Sequence, residues 1–550
     1  MLRHEDKPAV EPAEWWRGAV IYQVYPRSFA DSNGDGTGDL AGIHQHLDYL
    51  ASLGVDALWI SPFFRSPMAD FGYDVSNYRE VDPLFGDLAG FDRLLTAAHR
   101  RGLRVIIDQV MSHTSDQHAW FQASREDRNN AYADWYVWAD PAADGTAPNN
   151  WLSIFGGPAW QWEPRRGQYY LHNFLASQPD LNYHHPPVAS QMLQEAEFWL
   201  QRGVDGFRLD AINFCYHDAQ LRNNPPKPEA LRRGRGFRPD NPYAAQYHLY
   251  DNTRPENLDF LGRLRRLLDR YPGSLGLGEV ASEDSIATLR EYAGETGRLH
   301  MAYCFELLVE DFSTAHVREV VESVERGAPG CWPCWAIGNH DVARVASRWA
   351  GRLPPARIAR LLNALLFSLR GSACSYQGEE LGLTEAELPR DCLKDPYGIA
   401  FWPSFKGRDG CRTPMPWDDR KPQSGFSTGT PWLPIPAEHA GLSVYRQERD
   451  TESVLHAYRR FLAFRRSQPA LRHGAIQFIE GPADTLCFLR TYGRDTILCA
   501  FNFGAQARRL VLPFARAERL TAPEPEPSEM KRGQLHLPAC SFAFVRQASK

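Results

Sequence analysis

The sequence predicts an α/β fold: a closed (β/α)8 barrel with a subdomain inserted after its third strand, followed by a C-terminal antiparallel β domain. Three observations support this fold class. Eight apolar segments alternate with amphipathic helical patterns, a long aromatic-rich interval separates the third and fourth segments, and short strands replace helices past about residue 470. The chain has 550 residues, too many for one ordinary core, so we expect two or three domains.

The eight predicted barrel strands are rich in apolar and β-branched residues, as is typical of parallel strands that are buried on both faces. They are Ala19–Tyr25, Ala57–Ser61, Arg104–Asp108, Gly206–Asp210, Ser274–Glu279, Met301–Glu306, Trp332–Gly338 and Ser372–Tyr376. Amphipathic helices are predicted between several of these strands, at Leu40–Leu53, Phe91–Arg101 and Val188–Arg202.

The interval after the third strand is rich in Trp, Tyr, Asn and Gly, and a loop of this length in a barrel is usually functional. We expect residues 111–182 to form a subdomain above the C-terminal face, which divides the barrel into residues 1–110 and 183–470. Residues 471–550 are expected to form a β-sandwich with a Pro/Glu-rich surface loop at Ala522–Glu529. Its predicted strands are Ala475–Glu480, Leu486–Tyr492, Asp495–Phe501, Arg508–Leu512, Gln534–Leu537 and Ser541–Val545.

Composition and charge argue against two classes of partner. The net charge is −6, so no basic excess indicates nucleic acid or a membrane surface, and we expect residues 232–238, which are basic but Gly-rich, to be a solvated loop. The N-terminus lacks the apolar core of a signal peptide, and no apolar run is long enough to span a membrane. The 10 cysteines follow no disulfide pattern, so we expect a cytoplasmic protein, as a monomer or homodimer.

Charged side chains stand at the C-terminal ends of four predicted strands, where barrel enzymes place their chemistry. A single such residue is as often a structural salt bridge or a satisfied core group. Four strands that deliver acids or histidines to one rim favour a catalytic site. The residues are Asp108 and His113 after the third strand, Arg208 and Asp210 on the fourth, Glu279 on the fifth, and His340 and Asp341 after the seventh.

Two carboxyl groups on neighbouring strands suit a retaining glycosidase, in which one attacks the anomeric carbon and the other protonates the leaving oxygen. Arg208 lies two residues before Asp210, so a strand places both side chains on one face. The guanidinium then keeps the carboxyl ionised, as a nucleophile requires. The acid on the fifth strand must instead stay protonated, which burial and a nearby carboxylate favour.

Four segments resemble the α-amylase superfamily, glycoside hydrolase family 13, and the resemblance covers nearly the whole chain. The segments are Asp108–His113, Gly206–Asp210, Gly278–Val280 and Gly338–Asp341. The resemblance implies that Asp210 is the nucleophile, Glu279 the general acid/base and Asp341 a third carboxylate that grips the sugar hydroxyls. It also implies that His113, His340 and Arg208 bind the same glucose.

Further segments are similar to those of the exo-α-glucosidase and oligo-1,6-glucosidase branch. They include Gln178–Asn182 and Asp70–Asp74, where the resemblance implies that Tyr73 stacks on the terminal glucose and Asp70 holds its hydroxyls. Arg408 would pair with Asp70 and close the cleft, although a surface charge is the alternative. Phe155 and Phe174 are candidates for the apolar side of the pocket, and core packing of the subdomain is equally open.

The resemblance implies an exo-acting α-glucosidase that releases terminal glucose from short glucosides and also transfers it to alcohol acceptors. Ala211 follows the nucleophile, where a Val in similar enzymes accompanies α-1,6 cleavage, so we expect an α-1,4 preference. The alternatives are an oligo-1,6-glucosidase, and a trehalose or sucrose-isomer synthase. A non-catalytic transporter subunit is disfavoured because all three carboxylates are present and no membrane segment is apparent.

The segment from Asp31 to Asp39 spaces oxygen donors in the manner of a calcium loop. The expected ligands are Asp31, Asn33, Asp35, Thr37 and Asp39. The twelfth position is Gly42 and not Glu, so a true EF-hand is not expected. The segment resembles the calcium or magnesium loop after the first strand in α-glucosidases of this family, which implies a structural Ca²⁺ or Mg²⁺. No organic cofactor is expected.

Overall fold

The computed structural model describes residues 14–232, 240–294, 297–310, 312–351 and 353–548. Residues 1–13, on which the absence of a signal peptide rests, lie outside the described residues. Most of the basic segment 232–238 lies outside them as well, so the solvated loop expected there stays a prediction.

Eight parallel strands form a nearly closed barrel, which confirms the predicted fold class. The strands are β1 (Val20–Val24), β2 (Ala57–Ile60), β3 (Arg104–Val110), β4 (Gly206–Asp210), β5 (Leu275–Val280), β6 (Met301–Cys304), β7 (Cys334–Ala336) and β8 (Ser372–Tyr376). The sheet order is β6-β5-β4-β3-β2-β1-β8-β7. The edge strands β6 and β7 lie next to each other, so the carboxyl ends of all eight strands face one rim.

The barrel strands bury both faces, which explains their continuous apolar sequences. In β1, Ile21 packs in the cluster inside the barrel with Trp59, Ile106 and Leu277. Its neighbour Val20 packs outward in the large core between strands and helices. Because successive side chains alternate in this way, every second residue at a strand end can face the interior.

At least one helix follows each barrel strand, as the predicted alternation of strands and helices requires. The helices are Leu40–Gln45, Leu47–Leu53, Leu88–Arg100, Ala119–Glu126, Pro186–Gln201, Asn257–Leu268, Ser285–Ala293, Thr314–Gly327, Val345–Arg348, Pro355–Leu366, Pro396–Phe401, Ala437–Ala440, Val444–Arg449, Val454–Arg466 and Pro469–His473. The single helix predicted over Leu40–Leu53 is wrong. His46 has φ −106° and ψ 14°, outside the helical region, and divides that segment into two helices.

The chain between β3 and β4 forms a small three-stranded sheet of its own. Its strands are Trp138–Ala139, Trp160–Glu163 and Gln168–Leu171, and Ala119–Glu126 is its helix. A separate apolar cluster around Trp151 and Trp160 packs within it. Isolated bridges, such as that between His113 and Asp180, join it to the end of β3. The predicted boundary of the subdomain, residues 111–182, stays a prediction.

The C-terminal region consists of two antiparallel sheets. The strands are β9 (Ala475–Ile479), β10 (Thr485–Tyr492), β11 (Asp495–Asn502), β12 (Arg508–Val511), β13 (Ala517–Arg519), β14 (Glu529–Lys531), β15 (Gln534–Leu537) and β16 (Ser541–Gln547). The sheets are ordered β9-β10-β11-β16-β13 and β12-β15-β14. They share an apolar cluster that includes Leu498 and Leu535. The sequence did not predict β13 and β14, which have three residues each, too few to show alternation.

The sequence analysis expected no disulfide framework and no membrane-spanning segment. All ten cysteines are free thiols, and nine of them are buried. Within the described ranges, no helix is long and apolar enough to cross a membrane.

Candidate active site

Arg208 connects the acidic side chains at the ends of three neighbouring strands. Asp108 of β3 lies in register with Arg208 of β4, and Glu279 of β5 lies in register with Tyr303 of β6. Nη1 of Arg208 donates to Asp108 Oδ1 at 2.9 Å and to Asp210 Oδ1 at 2.6 Å. The same guanidinium contacts Glu279 Oε1. Arg208 is fully buried, so its charge offsets the cost of burying several acids together.

Asp210 and Glu279 share this one guanidinium, and their protonation is therefore linked. Burial raises the pKa of Glu279 to about 7, with Arg208 opposing the rise and Asp210 adding to it. Burial also raises the pKa of Asp210, again opposed by Arg208. Two interacting carboxyl groups of this kind hold one proton between them near neutral pH. One ionised and one protonated carboxyl is the state that retaining glycoside hydrolysis requires.

The backbone turns sharply directly after Asp210. Ala211 has φ 39° and ψ 43°, in the left-handed region, where a residue with a Cβ is strained. This conformation lets the Ala211 N–H donate to Glu279 Oε2 at 3.1 Å. The hydroxyl of Tyr303 donates to the other oxygen of Glu279 at 2.8 Å. Both oxygens of Glu279 therefore have fixed partners.

Asp341 remains ionised because two arginines face it. Arg408 Nη1 and Arg412 Nη2 donate to its Oδ1 at 3.1 and 2.8 Å. Burial opposes the ionisation of Asp341, but the neighbouring positive charges outweigh burial and hold its pKa well below the usual range. A permanent carboxylate next to the pair of Asp210 and Glu279 can accept hydrogen bonds from sugar hydroxyls.

Arg408 lies on the cavity wall and pairs with Asp70, as the sequence predicted. Its Nη2 donates to Asp70 Oδ1 at 2.9 Å and to Asp395 Oδ1 at 2.7 Å. Gln178 donates to the second oxygen of Asp70 at 3.1 Å. The Arg408 guanidinium also lies over the ring of Phe155, 5.0 Å from the centroid. Arg408 is thus buried in an ion-pair network, and the alternative of a surface charge is wrong.

Two neutral histidines flank Tyr73. The Tyr73 hydroxyl lies 2.7 Å from His340 Nε2 and donates to Asp108 Oδ2 at 3.0 Å. The Tyr73 and His340 rings are stacked with centroids 5.3 Å apart. Burial lowers the pKa of His113 to about 4 and that of His340 to about 3. Both rings are uncharged at neutral pH, and the two nitrogens of His340 already face Gln23 and Tyr73.

The predicted site residues surround one cavity of about 260 Å³. Those that line it are Asp70, Tyr73, His113, Phe155, Phe174, Asp210, Ala211, Glu279, Asp341 and Arg408. Arg208 and His340, which were also expected to bind the glucose, are fully buried and are not among the lining residues; they bond instead to Asp210 and Tyr73, which line the cavity. The catalytic and sugar-binding roles stay predictions, but the geometry brings all the assigned residues to one place.

The five expected metal ligands lie apart from the cavity. In their loop, Asp31 Oδ1 accepts the Gly34 N–H at 2.7 Å, and Asp35 Oδ1 accepts the Thr37 N–H at 2.8 Å. Asp39 Oδ1 caps the helix Leu40–Gln45 through the Gly42 N–H.

The donor set of this loop fits a hard cation, because its side chains offer carboxylate, amide and hydroxyl oxygens. Throughout the part of the chain that the structure describes, no group of three or more His, Cys, Asp or Glu side chains is arranged for a metal. Asn33, Thr37 and backbone carbonyls would therefore have to complete the coordination.

Three site residues were missed by sequence reasoning. Tyr303 bonds to Glu279, Asp395 bonds to Arg408, and Arg412 bonds to Asp341. Tyr303 lies on predicted strand β6, so alternation along that strand could have indicated it. Asp395 caps the short helix Pro396–Phe401 and Arg412 lies in the irregular chain after it, where no strand or helix periodicity indicates the direction of a side chain.

Known proteins resemble this chain over almost its full length. The family model described as the alpha amylase catalytic domain matches residues 23–474. A probable alpha-glucosidase from Rhizobium meliloti (strain 1021) is 55% identical over 538 residues, 97% of each chain.

Two solved structures are also similar to it. An alpha-glucosyl transfer enzyme, XgtA, is 61% identical with a TM-score of 0.95, covering 97% of this chain and 99% of its own. The trehalulose synthase MutB from Pseudomonas mesoacidophila MX-45 is 31% identical with a TM-score of 0.88, covering 98% and 100%. The chain therefore belongs to the α-amylase family, glycoside hydrolase family 13, in its exo-α-glucosidase branch, and is a glycoside hydrolase.

Proposed function

We propose that this enzyme is a retaining, exo-acting α-glucosidase that releases terminal α-D-glucose from short α-1,4-glucosides such as maltose. The observation that carries the proposal is the set of ion pairs that Arg408 makes on one side of the cavity. Arg408, bonded to Asp70 and Asp395, blocks the space beyond the glucose that the catalytic carboxyls would act on. A cavity closed in this way accepts only the end of a chain.

In the proposed mechanism, Asp210 is the nucleophile and Glu279 the acid/base. Asp210 Oδ1 is held by Arg208, and no described residue donates a hydrogen bond to Oδ2, which is left to attack the anomeric carbon. Glu279 gives its proton to the leaving oxygen, and a covalent glucosyl ester forms on Asp210. Glu279 then takes a proton from an incoming water or alcohol, whose oxygen replaces Asp210 at the same carbon.

Transfer to alcohol acceptors follows from the same intermediate, because a bound alcohol can replace water in the second step. The similarity to an alpha-glucosyl transfer enzyme supports this part of the proposal. The α-1,4 preference rests on Ala211, which lines the cavity with a single methyl group and leaves room for the second sugar.

A sucrose-isomer synthase is the second candidate, favoured by the similarity to a trehalulose synthase. Such an enzyme would return glucose to the fructose it has just released. Product analysis on maltose, isomaltose, sucrose, trehalose and soluble starch separates the two. We expect glucose from maltose, slower release from isomaltose and almost none from starch. Conversion of sucrose mainly into an isomeric disaccharide would favour the second candidate, and rapid loss of starch viscosity would contradict exo action.

We further propose that the loop from Asp31 to Asp39 binds a structural Ca²⁺ or Mg²⁺, and that the enzyme is cytoplasmic. The free thiols are consistent with a reducing compartment. A cation that binds only the native state raises the melting temperature. Chelation should lower the melting temperature of the wild type. In Asp35→Ala the melting temperatures with and without chelator should be equal. Elemental analysis that finds no metal, with a melting temperature insensitive to chelator, would contradict the metal site.

A further inference from the structure

The turn from Ala69 to Asp74 carries two predicted sugar-binding residues. Asp70 and Tyr73 line the cavity, whereas Phe71 between them does not. Asp74 accepts the N–H groups of Ala69 and Asp70 at 2.8 and 2.9 Å, which holds the start of the turn. Phe71 itself has φ 53°, in the left-handed region, where a residue with a Cβ is strained. Strained backbone of this kind persists only where the surrounding structure holds it.

The ring of Phe71 packs on side chains that lie behind the cavity wall. The guanidinium carbons of Arg27 and Arg412 are each 5.3 Å from its centroid. The ring of Trp432 is 5.5 Å away between centroids. The face of an aromatic ring attracts a cation, most strongly where water is excluded, and Phe71 is only 8% exposed. We call these four side chains, Phe71, Arg27, Arg412 and Trp432, the aromatic clamp.

Arg27 binds to the clamp through ring faces more than through hydrogen bonds. Its Nε and Nη2 are buried and have no hydrogen-bond partner among the described residues. Besides Phe71, its guanidinium lies over the rings of Trp432 and Phe85, 5.2 and 5.8 Å from their centroids. The three rings therefore offset part of the cost of burying this cation.

Arg412 connects the clamp to the third predicted carboxylate. Its Nη2 donates to Asp341 Oδ1 at 2.8 Å, and its Nε donates to the carbonyl oxygen of His340 at 2.7 Å. The guanidinium is thus held in place by two hydrogen bonds of its own. Phe71 therefore packs on the group that orients Asp341, and Asp341 also lines the cavity.

We propose that Phe71 is a positioning residue, and that the aromatic clamp holds the strained turn so that Asp70 and Tyr73 stay in register with Asp341 around the terminal glucose. The inference rests on the proposed function, because it takes the terminal glucose as the ligand. Phe71 does not touch the sugar. Without the ring, the turn would relax from its positive φ, and the two residues that it carries would shift. The expected loss is one of affinity for glucose, beyond any loss of stability.

Two variants at residue 71 separate the ring from the backbone strain. Phe71→Ala removes the ring and keeps a Cβ, so nothing compensates the positive φ. Phe71→Gly also removes the ring, but glycine accepts a positive φ, so the turn can persist. The alanine variant should therefore bind the sugar more weakly than the glycine variant. Trp432 is a poorer choice for substitution, because its N–H donates to the carbonyl oxygen of Gly36 in the loop expected to bind a metal.

The test measures the affinity of the intact protein for 1-deoxynojirimycin, a glucose analogue, by isothermal titration calorimetry. We expect Kd to rise roughly tenfold in Phe71→Ala and about threefold in Phe71→Gly. KM for maltose should rise by similar factors and kcat should change less, because the lost contacts bind the ground state and the transition state alike.

The matched control is Phe478→Ala in β9. Phe478 is 9% exposed, and the guanidinium of Arg318 lies over its ring at 5.8 Å, so a comparable ring is removed in the C-terminal region. This variant should melt at a lower temperature and keep the wild-type Kd. Arg27→Met leaves residue 71 intact and withdraws one cation from the clamp. It should raise Kd about twofold, and it answers any loss of folding in the variants at residue 71.

Three results would overturn the proposal. One is a wild-type Kd in Phe71→Ala or, should the variants at residue 71 not fold, in Arg27→Met. The second is an equal rise of Kd in Phe71→Ala and Phe71→Gly, and the third is an equal rise in Phe478→Ala. A wild type that neither binds 1-deoxynojirimycin nor releases glucose from maltose would instead contradict the proposed α-glucosidase function.

Discussion

At the scale of single residues, Arg208 decides how the catalytic acids behave. It bonds to Asp108 and Asp210 and contacts Glu279, so one positive charge is divided among three carboxyl groups. One charge cannot stabilise three buried anions, and at least one acid stays protonated near neutral pH. The number of buried charges thus favours one protonated and one ionised carboxyl at this site, as the proposed mechanism requires.

The first prediction concerns the pH profile of the wild type. Glu279 acts as an acid only when it is protonated, and its pKa is raised to about 7. The value of kcat/KM should therefore fall as pH rises through about 7. Glu279→Gln should lose this alkaline limb and should turn over maltose roughly 10²–10⁴-fold more slowly. An alkaline limb that persists unchanged in Glu279→Gln would assign the limb to another group.

The second prediction concerns Ala211, which precedes a short turn and has φ 39°. Ala211→Val should shift the ratio of kcat/KM toward isomaltose, because a β-branched side chain narrows the space for an α-1,4-linked sugar. A single contact of this kind changes the free-energy difference that separates the two substrates by about 1–3 kcal/mol. Valine also strains a left-handed backbone, so the variant should melt at a lower temperature.

Ala211→Gly is the control for strain, since glycine accepts a positive φ and leaves the space open. It should keep the preference for maltose. If the valine variant prefers maltose as strongly as the wild type does, residue 211 does not set the linkage specificity.

At the scale of elements, the segment from Asp395 to Arg412 contributes Tyr397 and Arg408 to the wall of the pocket. Arg408 bonds there to Asp395, Asp70 and Asp341, which come from three separate parts of the chain. Outside the helix Pro396–Phe401 the segment is largely irregular, so we expect these charge pairs to stabilise its conformation.

The third prediction is that Arg408→Gln weakens both this segment and glucose binding. It leaves buried carboxylates unpaired, which should cost about 3–5 kcal/mol of unfolding free energy and raise KM for maltose. Urea unfolding and steady-state kinetics measure the two effects. Adding Asp395→Asn should recover part of the stability but not KM. A single variant with wild-type KM would show that Arg408 does not close the glucose site.

Elements with strong periodicity were predictable, and those defined by distant contacts were not. Strands β4 and β8 have the predicted bounds because their apolar runs end at charged or turn residues. The break at His46 was not predictable, since both flanking segments have helical patterns. The partnership of Asp395 with Arg408 depends on loop geometry that leaves no pattern in the sequence.

At the scale of the whole molecule, the barrel explains how distant residues form one site. Asp70, Asp210, Glu279, Asp341 and Arg408 are far apart in the chain, but parallel strands deliver their carboxyl ends to one rim. The fold was predictable because eight strand segments alternate with helices, and the gathering of the carboxyl groups of Asp210, Glu279 and Asp341 at one cavity was predictable because strand ends and family motifs mark them. The ion pair between Lys227 and Glu283 was not predicted, because it joins the loops after β4 and β5, and periodicity does not indicate how two loops meet.

The central claim, a retaining mechanism through Asp210, has one most direct measurement. Glu279→Gln is incubated with 2,4-dinitrophenyl α-D-glucoside, whose leaving group needs no acid, and the protein is digested and analysed by mass spectrometry. The account predicts that the peptide containing Asp210 gains the mass of one glucosyl unit, because the amide cannot activate water to release it. A glucosyl unit attached to a different residue, or release of β-glucose with no labelled peptide, would contradict it.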